Sequence, residues 1–203
     1  MEQLETYEKL ILHRNFRSAL QGNLASSFDP EHMQIIHQKL CDGLDHRDPV
    51  LKSGEFRVAE GAARLLGAEA NKMAEHLMMS SDKRYVAEKT AYVMGRIETM
   101  QPFHSMNSLV GKLYSNNLAQ TAGFKIDWPN MDKDSLSTAI EAAKNGDNQK
   151  LVQQIELNLK PMVEPKMSAG VAARIGNDFS ERVAEFRSQR EPEVTNSGTK
   201  MRM

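Results

Sequence analysis

The run Gln101-Pro102-Phe103-His104-Ser105-Met106-Asn107-Ser108-Leu109 joins two stretches of helical periodicity and holds the residue types that most narrowly limit this chain's chemistry. His104 is the group in it able to move a proton near neutral pH. The Gln101 amide neither titrates there nor usefully accepts a proton; it can close the preceding helix or orient a water. His104 lies three positions beyond Gln101, within the loop. A surface or hydrogen-bonding role is its simpler reading. Lys112 reads as a solvated helix residue or as one flexible positive charge beside the loop.

The same run carries structural signals. Proline at 102 disfavours helical geometry at Gln101 and breaks the chain there. Phe103 is expected to point inward and anchor the loop. Asn107 can cap the following helix through its side-chain oxygen.

Helices must position this loop. Leu4, Tyr7, Leu10 and Ile11 repeat at helical spacing in a segment running toward Leu20. Asp29-Pro30-Glu31 is a good helix start, with an aspartate to cap free amides and a proline suited to the first turn. That helix carries Met33, Ile36, His37 and Leu40 and should end near Gly43. Residues 44–64 are irregular and read as a loop with room for a short hairpin at 55–60. Helical spacing returns from Ala62 through Leu77. Ser80-Ser81-Asp82 caps a helix over 83–99, and further helices are expected at 107–122, 132–144, 147–159 and 167–187. Asp147 with Lys150 makes half a capping box. The whole predicts an all-α bundle with at most one short β-hairpin.

Composition sets the remaining bounds. The chain has 203 residues, the size of one ordinary domain with a small extension. Its net charge of -1 argues against nucleic acid as a partner, since such binders usually carry a basic excess. A DNA-associated regulator would need a contiguous Lys/Arg face. The one cysteine, Cys41, permits no internal disulfide and reads as a buried, unreactive thiol. The start has neither a basic n-region nor an apolar h-region, and no window approaches the roughly 18 apolar residues needed to cross a bilayer. These features predict a cytoplasmic protein without membrane insertion, and leave room for delivery by a specialised secretion machine. His13, His32, His46 and His76 lack metal-site spacing, so no metal is expected. His37, on an apolar face, reads as a core histidine. No phosphate-loop, HExxH or zinc-deaminase motif is present.

The 101–109 run resembles the active-site loop of the Fic family, His-Pro-Phe-x-x-Gly-Asn-Gly-Arg, set between two helices. Pro102, Phe103 and Asn107 match. Gln101 stands for the histidine, Met106 for the first glycine, Ser108 for the second and Leu109 for the arginine. Lys112 sits where many members carry another basic residue. The flanks extend the likeness. Tyr92–Met100 resembles the preceding helix, and 117–128 ends in Ala122-Gly123-Phe124-x-x-Asp127-Trp128 as the family's following helix does. The 29–37 segment is similar to an early family helix. Gly54-Glu55-Phe56-Arg57 is similar to the approach to the flap that aligns a target.

The resemblance implies a Fic-like domain over 1–160, a helical extension over 161–189 and a tail over 190–203. In the family, the loop histidine takes a proton from a target protein's hydroxyl, which then attacks the α-phosphate of ATP. Glycines let phosphate approach backbone amides, and the arginine neutralises it. This chain lacks the base, the arginine and both glycines; Met106 and Ser108 are expected to bring side chains into the phosphate space. No catalytic residue is therefore assigned and no cofactor is expected. The resemblance implies a non-catalytic, protein-binding regulator or inhibitor, with bacterial conjugation or secretion as one context. Its contact surface would lie near 48–60, including Glu55, Phe56 and Arg57, and around 101–112. The alternative is an atypical transferase moving AMP or another phosphate-containing group onto a protein hydroxyl. That reading needs ATP, Mg²⁺, a substitute base such as His104 and a clamp including Lys112. The sequence sets no oligomeric state.

Overall fold

A computed structural model describes residues 6–21, 27–44 and 53–162. The expected extension and tail beyond 162, the helix over 167–187, His46 and the 48–52 part of the expected contact surface lie outside the described residues.

The described chain is mainly helical: α1 (Thr6–Gln21), α2 (Pro30–Cys41), α3 (Glu60–Leu77), α4 (Lys83–Met100), α5 (Asn107–Thr121), α6 (Lys133–Lys144) and α7 (Gln149–Asn158). Two short strands, β1 (Phe124–Ile126) and β2 (Leu159–Pro161), pair antiparallel, with Phe124 opposite Pro161 and Ile126 opposite Leu159. A 3₁₀ turn spans Trp128–Asn130.

Aspartates start three of the helices. The Asp29 side chain accepts the His32 amide at 2.8 Å, Asp82 accepts Arg84 at 2.8 Å, and Asp132 accepts Ser135 at 2.9 Å. Each answers an amide that helix geometry leaves without a partner, worth about 1 kcal/mol. The half capping box at Asp147 does not form. Asn148 occupies the cap of α7, and Asp147 instead accepts the Gln149 amide at 3.0 Å.

Helix α5 runs through the middle and is buried on almost every side. A helix so placed must satisfy its polar side chains internally. The Tyr114 hydroxyl donates to the Phe28 carbonyl at 2.7 Å, and Ser115 donates to the Thr90 carbonyl at 3.2 Å. Asn117 Nδ2 lies 3.0 Å from His32 Nε2. Around α5 pack Ile36 and Leu40 of α2, Leu66 of α3, and Met94 and Ile97 of α4, all buried, while α7, with Leu151 and Ile155 buried, packs against α4 and α6. Gly67 is the close-approach point. A Cβ there would meet the Phe28 carbonyl oxygen at 2.4 Å, so only glycine lets α3 approach the start of α2.

The expected hairpin at 55–60 is absent. Residues 53–57 form a turn, and Phe56 makes one isolated antiparallel bridge to Phe103. The apolar alternation there is too short to sustain a ladder, and Phe56 spends its pairing on the 101–106 loop. The strands lie at 124–126 and 159–161. No described helix is long and apolar enough to cross a membrane.

Candidate functional site: the loop between the two central helices

Helix α4 ends at Gln101, which caps it in a left-handed conformation with φ 47° and ψ 61°. The Gln101 amide is held at both ends. Its Nε2 donates to the Glu98 carbonyl at 2.7 Å and lies 3.3 Å from Glu98 Oε2, while its Oε1 accepts from Asn107 Nδ2 at 3.0 Å.

Asn107 does not cap α5 as expected. Met106 occupies the cap position and makes no side-chain cap bond. Asn107 instead reaches back over the loop. Its Oδ1 accepts the Phe103 amide at 2.8 Å, and its Nδ2 donates to the Phe103 carbonyl at 2.9 Å. One buried carboxamide thus serves both backbone polar groups of the buried residue Phe103.

Phe103 stacks between His37, with centroids 4.2 Å apart, and Phe56, at 5.0 Å. Aromatic stacking of this kind adds to burial by about 0.5–1.5 kcal/mol per pair. His37 in turn accepts the Gly54 amide at Nδ1, 2.9 Å away. Gly54 is left-handed, with φ 74°, so the tight turn after it favours glycine. Gln34 of α2 donates to the Gly54 carbonyl at 3.0 Å. Arg57 completes the clamp, its backbone amide donating to the Pro102 carbonyl at 2.7 Å and its Nε to the Gln101 carbonyl at 3.1 Å. Of the expected partner-binding residues, Glu55 and Arg57 are exposed, whereas Phe56 turns toward Phe103.

Burial pushes the His37 pKa down to about 4, against an opposing backbone hydrogen bond with Ser105, and exposed His104 adds to the lowering. His37 is neutral at physiological pH. Burial raises the Cys41 thiol to about 11, which leaves it protonated and inert.

The side chains expected in the phosphate space divide. Met106 keeps the left-handed backbone, φ 60°, that glycine adopts easily. Its side chain, however, turns into the core, with its sulfur 4.0 Å from Cys41 Sγ, correcting the expectation that it fills the space outside the loop. Leu109 packs against the core and offers no donor. Ser108 alone faces outward, into a cleft of about 330 Å³ between α4, α5 and α6.

Lys112 enters the same cleft, so it is not the solvated surface cation that helical position alone would give. Burial lowers its pKa while Glu98 opposes the shift, and its Nζ lies 5.9 Å over the Trp128 ring. Lys133 and Lys144, at the two ends of α6, also line the cleft. Glu98 is 4% exposed, and its Oε1 has no hydrogen-bond partner among the described residues. The sequence reading missed Glu98. Its position three residues before Gln101, one helical turn, was the available signal. Among the described residues, no group of three His, Cys, Asp or Glu side chains is placed to hold a metal.

The overall architecture matches solved Fic structures. BepC from Bartonella tribocorum, a VirB-translocated effector solved with bound AMPPNP, aligns with a TM-score of 0.63 and 17% identity, over 76% of this chain and 85% of that one. The fold is Fic-like. The N-terminal Fic domain of a Bep effector from Bartonella quintana aligns with a TM-score of 0.61 and 15% identity, over 90% of this chain and 86% of that one. In sequence, the chain is 22% identical over 147 residues to the protein adenylyltransferase VbhT of Bartonella schoenbuchensis. The match covers 68% of this chain but only 30% of that enzyme. No family model matches the chain. Within the Fic-like fold, the 101–106 loop connects α4 to α5.

Proposed function

We propose that this Fic-like chain is a non-catalytic regulator or inhibitor that acts by binding another protein, with a bacterial conjugation or secretion complex as its setting. The observation that carries this reading is the Gln101 amide, tied to Glu98 at one end and Asn107 at the other, at the position where the sequence resemblance places the family's base. A side chain so occupied takes no proton and reaches for no substrate. Leu109 adds no charge for a phosphate. The interior of the loop is committed to holding itself shut, which leaves its outer face for contact. Exposed Glu55, Arg57 and His104 form that face, beside the turn that corresponds to the approach to the family's target-aligning flap. A rigid exposed turn suits docking, because little ordering entropy remains to be lost on binding.

A second reading, transfer of AMP or another phosphate-containing group, draws support from the open cleft beside Ser108 and Lys112. It requires ATP, Mg²⁺ bound largely through the nucleotide phosphates, and His104 as a base.

The two readings separate in one experiment. Tagged full-length chain is incubated with native source extract, with and without ATP and Mg²⁺, and co-purified proteins are weighed intact. The regulator reading expects a stable, unmodified partner that persists without ATP and is lost with Arg57→Glu. A nucleotide-sized mass gain on the partner that vanishes with His104→Ala would support transfer instead.

A further inference from the structure

A second cleft, of about 290 Å³, opens where the end of α1 meets the small sheet. Three cations stand around it: Arg17 from α1, Lys125 from β1 and Lys160 from β2. Lys125 and Lys160 are directly opposite one another in the antiparallel ladder, and both are exposed. Like charges in that relation destabilise a strand pair unless something between them carries negative charge. Asp127 supplies part of the answer through its ion pair with Lys160. Arg17 has no ion pair among the described residues, and the cleft retains two net positive charges.

Asn116 supplies an independent sign of a ligand. It is 2% exposed and lines the cleft. Its Oδ1 accepts the Ile126 amide at 3.0 Å, which fixes the orientation of the carboxamide. Its Nδ2 makes no hydrogen bond among the described residues. The NH₂ is not sealed away, so it stands open to an acceptor in the cleft. Leu20, Ile126 and Pro129 give the cleft an apolar side as well.

We propose that this cleft binds a small phosphate monoester. A dianion matches the two excess positive charges, the Arg17 guanidinium presents paired donors suited to phosphate oxygens, and the Asn116 NH₂ provides a neutral donor beside them. The apolar side receives the organic part of the ester, and the volume is that of a compact metabolite site. The site is separate from the loop: Asn116 lies nine positions after Asn107 on α5, about 14 Å along the helix. It does not depend on the regulatory reading above.

The test is a ¹H–¹⁵N titration of the full chain at constant ionic strength, using phenyl phosphate, inorganic phosphate and benzoate as probes. The proposal expects saturable shifts of the Asn116 side-chain NH₂ and the Lys125 amide with phenyl phosphate. Inorganic phosphate should act at the same resonances about tenfold more weakly, and benzoate more weakly still. Arg17→Ala and Lys125→Ala, both at exposed positions, should each weaken phenyl phosphate at least tenfold, while Lys72→Ala, exposed on α3 and outside the cleft lining, should not. Linear shifts without saturation, benzoate binding as well as phenyl phosphate, or equal affinity in the two cleft variants would each overturn it.

Discussion

The Phe103 ring lies flat on the His37 imidazole, with centroids 4.2 Å apart and planes 12° from parallel. His37 Nδ1 also accepts the Gly54 amide, so one neutral imidazole joins the loop to the 53–57 turn. A protonated ring could no longer accept that bond. Burial holds the His37 pKa at about 4, below its ordinary 6.5. The unfolded chain therefore takes up a proton as pH falls through 6.5 while the folded chain resists until about 4. Stability falls across that window and levels off below it. Between pH 7 and pH 4.5 the His37 contribution to this loss should be about 2–3 kcal/mol. Urea unfolding of the natural chain and of His37→Leu at both pH values checks it. His32, whose pKa burial also lowers, acts in both proteins and cancels in the difference. Equal losses in the two would remove His37 from the account.

Asn107→Ala should be among the most damaging changes in the loop. It leaves the Phe103 amide and carbonyl without their partners inside the core and releases the Oε1 end of the Gln101 side chain. Each unsatisfied buried group costs about 1–3 kcal/mol, so a loss of about 2–4 kcal/mol is expected. Amide hydrogen exchange at Phe103 should accelerate together with it. A loss below about 1 kcal/mol would mean that the loop reseats around other partners.

Much of this arrangement was legible in the sequence, because helical periodicity and short-range caps are local. Asp29, Asp82 and Asp132 mark helix starts by residue type alone, and Pro102 marks the break after α4. The misses arise from long-range partners. Asn107 has the residue type of a helix cap, yet Phe103 offers it two buried backbone groups and wins its side chain. The β1–β2 pair joins residues more than thirty positions apart, each strand only three residues long, too short for alternation to show. Met106 reads as an obstruction to phosphate because sequence gives no direction to its side chain; the left-handed backbone turns it toward Cys41 instead. Glu98 reads as one more polar helix residue until α5 and α6 close over it.

On the proposed reading, a histidine placed at position 101 should not by itself produce transfer. Gln101 sits at φ 47°, a region that histidine tolerates better than most residues, so Gln101→His is expected to fold. Leu109 still provides no donor for phosphate. Incubation of Gln101→His with labelled ATP, Mg²⁺ and the co-purified partner should give no more label on protein than the natural chain gives. Label that appears with this single change would show that Ser108 and Lys112 already make a working phosphate site.

The Glu98 carboxylate opposes the effect of burial on Lys112 across the cleft beside Ser108. Burial lowers the Lys112 pKa, and the negative charge of Glu98 is the influence that raises it. Glu98→Gln removes that charge while keeping the side chain's shape. The Lys112 pKa should therefore fall further, and the ammonium should release its proton at a lower pH than in the natural chain. Observation of the Lys112 side chain by NMR across an alkaline titration reads this directly, with exposed Lys83 as an internal standard that should not move. The Gln101 amide keeps its 2.7 Å bond to the Glu98 backbone carbonyl, so the loop should hold in the variant. An unchanged Lys112 pKa would mean that water in the cleft screens the two groups from each other, and that desolvation alone sets the lysine's charge.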